Sequence, residues 1–105
     1  MGRLDGNRRD LGALTPDDFE SCLGQDFAVT IDGSDPVVFT LTTVDRRGLQ
    51  PGYRPPFSLL FAGPPTPVRP QGIYHLEHPT MGPLDVFLVP VGADQAAVTY
   101  EAVFT

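Results

Sequence analysis

His75, Glu77 and His78 put both histidines of the chain and a glutamate within four positions, where chemistry is conceivable. Imidazole and carboxylate together suit a metal site or general acid–base work. Either use needs the side chains to converge, and the element that carries them decides whether they do. The stretch "PQGIYHLEHPTMGPLDVFLVPVG", 70–92, alternates polar and apolar residues on both sides of "TMG". That pattern predicts a β-hairpin with Gly82 in the left-handed position of a three-residue link. Neighbouring strand residues face opposite ways, so His75 and Glu77 share one side while His78 takes the other. Pairing across the hairpin adds Asp85 to the first side. His75, Glu77 and Asp85 are therefore the candidate metal ligands, without the His-x-His pair that many metal-binding barrels place on one strand. The competing reading makes His75 and Glu77 exposed cross-strand polar residues, and His78 a histidine at the edge of the core, capped by backbone. We adopt the second reading, and no cofactor is expected.

The remaining reactive types fare no better. Cys22 falls near the end of a short helix, where the dipole disfavours a thiolate, and its neighbours point to burial. Ser58 in "PFSLLFAG" lacks the glycines of a nucleophile elbow. Asp17 and Asp18 suit helix capping, and Gly82 and Gly92 suit turns rather than a phosphate-cradling loop. Lysine is absent, which removes Schiff-base chemistry and isopeptide crosslinks. No nucleophile, base and orienter combine, so no catalytic residue is assigned and the chain is read as a non-enzyme.

The elements that must position these residues are short strands. The 105 residues make one domain, and Gly and Pro supply 11 and 12 of them, too many for a helical bundle. "LTPDDFESCLG" predicts a helix over 16–23: Thr15 as N-cap, Pro16 at the first position, Leu14 and Phe19 as a staple, Gly24 beyond the end. Phe19, Cys22 and Leu23 are its expected buried side. A hairpin over 26–45 follows, then a loop over 46–56, a strand over 57–62 and the stiff connector "PPTPVRPQ". Strands over 72–78, 84–91 and 97–104 complete an antiparallel meander. The expected fold is mainly β: a small barrel or two-layer sandwich of about six strands with one N-terminal helix. Residues 1–13 are read as a flexible arm and 14–105 as the β-rich domain.

Pleat parity exposes one oddity. Tyr74, Leu76, His78, Leu84, Val86, Leu88, Val98, Tyr100, Ala102 and Phe104 share the core face, yet Phe87, Val89, Val91 and Val103 crowd the other. A face turned to water is not expected to be so apolar, so the helix and the 57–62 strand, or a partner, should cover it. Charge segregates as well. The net charge of −6 argues against nucleic-acid binding, yet Arg46, Arg47, Arg54 and Arg69 occupy 46–76 without any acid. Arg46, Arg47, Tyr53 and Arg54 form a candidate partner-contact loop, set against the plainer reading of arginines answering the acidic strands.

The chain resembles an uncharacterised family of small bacterial proteins, a domain of unknown function. The resemblance rests on "LTPDDFESCLGQDF", "PFSLLFAGP", "PQGIYHLEHPTMGPLDVFLVPVG" and "YEAVF". It implies no activity, and it implies company with fibre proteins of the phage-tail-collar type. The leading expectation is a non-enzymatic interaction module, an accessory or adaptor subunit of a larger assembly. It would act through a protein partner or self-association, with no nucleic acid and no membrane involved. The second is a metal- or ligand-binding barrel, enzymatic or not, that uses His75, Glu77 and Asp85. One cysteine, no apolar leader and no long apolar run suggest a cytoplasmic setting.

Overall fold

A computed structural model of the protein describes residues 14–31, 35–46 and 56–104. The elements are α1 (Pro16–Glu20), β1 (Asp26–Thr30), β2 (Val37–Arg46), β3 (Phe57–Gly63), β4 (Gly72–His78), β5 (Gly82–Ala93) and β6 (Val98–Phe104). The six strands close into an antiparallel barrel in the order β1-β2-β3-β6-β5-β4. Of the two architectures expected, the barrel is the one formed. The arm at 1–13 and most of the 46–56 loop lie outside the described residues.

Alternation drives closure. Phe27 and Val29 on β1, Phe39 and Leu41 on β2, Leu76 on β4 and Leu84 and Leu88 on β5 are buried, while their sequence neighbours look outward. In a barrel of this strand number the inward side chains fill the interior. Aromatic rings do much of the filling: Phe39 stacks on Tyr100 at 4.8 Å, and Phe27 meets Phe61 edge-on at 5.4 Å. Gly63 makes room for Phe39, since a Cβ there would lie 2.8 Å from its ring.

Two β-bulges re-aim the strands. On β2 the register shifts between Leu41 and Thr43, and the Thr42 hydroxyl donates to the Leu60 carbonyl at 3.1 Å. On β5 it shifts between Pro90 and Gly92, a position that tolerates a proline with no N–H for the ladder.

The helix closes one end of the barrel. Thr15 and Asp18 form a capping box: the Asp18 amide donates to the Thr15 hydroxyl, and the Thr15 amide donates to the Asp18 carboxylate at 2.9 Å. Phe19 is fully buried, with ring centroids 5.9 Å from Phe57 and 5.5 Å from Phe104. The helix ends at Glu20, sooner than the predicted 16–23. Gly24, at φ +80°, donates to the Leu41 carbonyl, and Leu41 donates back to Gln25, so β2 draws the chain off the helix axis. Leu23 consequently turns outward and is 45% exposed, against the expected burial, while Cys22 is buried as expected.

The other end is closed by the link over 64–71. β3 and β4 stand opposite each other in the ring, so this link must cross the mouth of the barrel. Four of its eight residues are prolines, and the Thr66–Pro67 bond is cis. Prolines remove donors that a crossing segment could not pair in a ladder. Two core tyrosines hold the strap from below: the Arg69 amide donates to the Tyr100 hydroxyl at 3.0 Å, and the Tyr74 hydroxyl donates to the Pro70 carbonyl.

The β5–β6 link is organised by Asp94, whose carboxylate accepts the amides of Ala96 at 2.8 Å and Ala97 at 2.9 Å. The bond from Ala97, and then that from Ala96, holds this carboxyl below its ordinary 3.8. Its stabilisation is thus present above 3.8 and is lost as pH falls through the depressed value. Asp94→Asn is expected to flatten the fall in urea midpoint between about pH 4.5 and pH 2. Tyr100→Phe is expected to cost about 1–2 kcal/mol in urea unfolding, by orphaning the Arg69 amide. An unchanged midpoint would show that water serves that amide equally well.

Candidate functional site

β4 and β5 carry the polar residues that opened the question, in the register His75↔Asp85 and Glu77↔Pro83. His75, Glu77 and Asp85 do share the outer face. Asp85 Oδ1 lies 2.9 Å from His75 Nδ1, and Glu77 Oε2 lies 3.0 Å from Nε2. The carboxylates therefore hold opposite edges of one imidazole. A chelate needs its ligand atoms gathered around one point about 2 Å from each. Among the described residues no group of three or more His, Cys, Asp or Glu is arranged to hold a metal ion. The arrangement is instead a hydrogen-bonded bridge across two strands. A neutral ring donates to one carboxylate and an imidazolium donates to both. The His75 side chain is 33% exposed and that of Glu77 61%, so solvent and salt weaken both contacts.

His78 faces inward and is buried. Its Nδ1 accepts the amides of Thr80 at 3.1 Å and Met81 at 3.2 Å, so Nδ1 carries no proton. The Nε2–H then donates to Gln25 Oε1 at 2.6 Å. The ring packs 4.7 Å from Phe27. With Gly82 at φ +76°, this single side chain folds the β4–β5 turn and ties it to the segment that leads into β1. Both nitrogens are committed to structure, as backbone capping of an edge-of-core histidine requires.

The apolar outer face is the feature that remains. Ile73 is 75% exposed, Phe87 51%, Val91 53% and Val103 57%, and Val89 is half-buried. Four of the seven large exposed hydrophobics among the described residues thus fall on β4, β5 and β6. Ile73 lies directly opposite Phe87, and Val89 opposite Glu101. Continuing the second register by two residues brings Phe87 level with Val103, so one stripe crosses three strands. Neither suggested intramolecular cover applies: α1 packs over the barrel end through Phe19, and β3 belongs to the barrel wall. Ile73 was missed in the sequence, although its odd-numbered place beside His75 on the strand already put it on this face.

The arginines divide. Arg46 sits at the end of β2 and grips α1: Nε and Nη2 reach the two Glu20 oxygens at 3.2 and 2.9 Å, and Nη2 also meets Asp17. Hydrogen bonds to Glu20, then to Asp17, hold the guanidinium more firmly protonated than usual. This residue is thus occupied in fastening the helix to the barrel. Arg47, Tyr53 and Arg54 lie outside the described residues. Arg69, half-buried on the strap, has no carboxylate partner among the described residues.

If His78 is the organiser of its turn, His78→Phe keeps the ring and removes the acceptor. It is expected to cost about 1–3 kcal/mol in urea unfolding. His78→Asn places an oxygen near the Nδ1 position and should recover part of that loss. Equal losses in the two variants would assign the cost to packing rather than to the two amides.

Comparison with known proteins gives a family and nothing closer. No curated protein matches the chain, and no solved structure does. The family model for a domain of unknown function, DUF6916, matches residues 14–104. That span runs from the residue before the Thr15 cap to the end of β6, so it takes in the whole barrel and its helix. The chain belongs to this family of unknown function.

Proposed function

We propose that the protein is a non-enzymatic interaction module, an accessory or adaptor subunit that docks onto another protein through the outer face of β4, β5 and β6. The observation that carries this reading is the exposed stripe of Ile73, Phe87 and Val103, continued along β5 by Val91. Scattered apolar residues on a surface need no explanation, but a contiguous group across neighbouring strands marks a site of contact. The filled interior supports the same reading, because inward positions are taken by side chains such as Phe61, Leu59 and Tyr100 rather than surrounding a chamber. Asp85 and Glu101 border the stripe and suit the polar rim of such a contact. An assembly of fibre or tail type, as the family resemblance implies, is one setting for an adaptor of this kind.

A second reading, a metal- or ligand-binding barrel, draws on the meeting of His75, Glu77 and Asp85. The opposed carboxylates count against it.

The test is assembly. Isolated with its partner from the native host, the complex is expected to be lost with Phe87→Asp while the barrel keeps its unfolding midpoint. Size exclusion with light scattering reads the result, and also reveals whether the partner is a second copy. A normal complex formed by folded Phe87→Asp would overturn the reading. Stoichiometric zinc, iron or copper, bound without chelator treatment and absent from His75→Ala, would install the second one instead.

A further inference from the structure

Beside the strap, at the end of the barrel away from α1, lies a groove of about 330 Å³. Ile31, Ile73 and Tyr74 supply its apolar wall, Thr30 a hydroxyl, and Arg69 with Pro70 its far side. The volume is at the lower end for a ligand site, enough for a side chain or two. Among the described residues that line it, Arg69 is the one that carries a charge, so this groove offers a positive group on a chain whose net charge is −6. Arg46, the other arginine among the described residues, is committed to Glu20 and Asp17. The strap that carries Arg69 is also fixed in place, because Tyr100 takes its amide and Tyr74 the next carbonyl. With that backbone held from the core, only the Arg69 side chain has to be ordered on pairing, and its fork matches a carboxylate with two parallel bonds.

The groove also joins the stripe described above. Ile73 lines it and lies opposite Phe87 in the β4–β5 ladder. A segment that covers Phe87 therefore has a short path to Arg69.

We propose that this groove binds an acidic segment of the partner protein, with an Asp or Glu carboxylate on Arg69 and an adjoining apolar side chain against Ile31 and Ile73. The proposal rests on the docking reading and adds the chemistry of what docks.

The probe is the acetylated, amidated tetrapeptide Leu-Glu-Val-Glu, titrated to about 10 mM into the full chain labelled with nitrogen-15. Saturable shifts are expected at the amides of Arg69, Gly72 and Ile73. Arg69→Gln should weaken binding about tenfold, and Arg69→Lys less, since it keeps charge without the fork. The same peptide with glutamine for both glutamates should not bind. Shifts confined to other surfaces, equal binding of the glutamine peptide, or equal affinity in folded Arg69→Gln would each overturn the proposal. Absence of any shift, with assembly still lost in Phe87→Asp, would reject the groove and keep the docking face. Peptide binding intact beside normal assembly of Phe87→Asp would reject the face and keep a separate carboxylate site.

Discussion

Everything in this molecule depends on ring closure. Each strand pairs on both sides around the barrel, including at the seams β3–β6 and β1–β4 that join the first three strands to the last three. Closure removes the open edges that an isolated sheet of this kind would present. It also forces the division between a dry interior and an outer wall, and that division gives each odd and even position its meaning. The interior is packed with rings such as Phe19, Phe57 and Phe104, stacked or tilted on one another.

The polar residues divide along the same line. His78 points in and serves as a structural acceptor, holding two amides of a tight turn. His75 points out and bridges two carboxylates. Two imidazoles three positions apart thus have unrelated surroundings, one in the core and one on the wall. Arg46 likewise fastens a helix of only five residues, too short to be stable alone, onto the end of β2. Much that looks reactive in this chain is employed in holding small elements against a barrel.

What the sequence made legible follows period and punctuation. The two-residue alternation correctly sorted Tyr74, Leu76 and His78 from His75 and Glu77, and Gly82 sits at the positive φ its link required. Thr15, Pro16 and Asp18 marked the helix start. Its end was less legible, because the bonds from Gly24 and Leu41 that unwind it come from a strand distant in the chain. The ring order was out of reach for the same reason: nothing local to "PPTPVRPQ" says that it must cross a barrel mouth. The exposed stripe was half legible. Parity placed Phe87 and Val103 outside, but the cross-strand neighbour Ile73 drew no notice, and only the closed ring shows that the helix lies elsewhere.

The strap has a consequence for how the molecule holds together. On either side of it lies a meander of three strands, and each meander has two outer strands whose other flank is filled by the opposite meander. Neither half owns a closed wall or a complete interior: Phe27 needs Phe61 from its own half, but Phe39 needs Tyr100 from the other. The two halves are therefore mutual templates rather than independent modules, and the barrel is expected to unfold as one unit. The strap alone joins them along the backbone, and both of its tyrosine contacts come from the β4–β6 half.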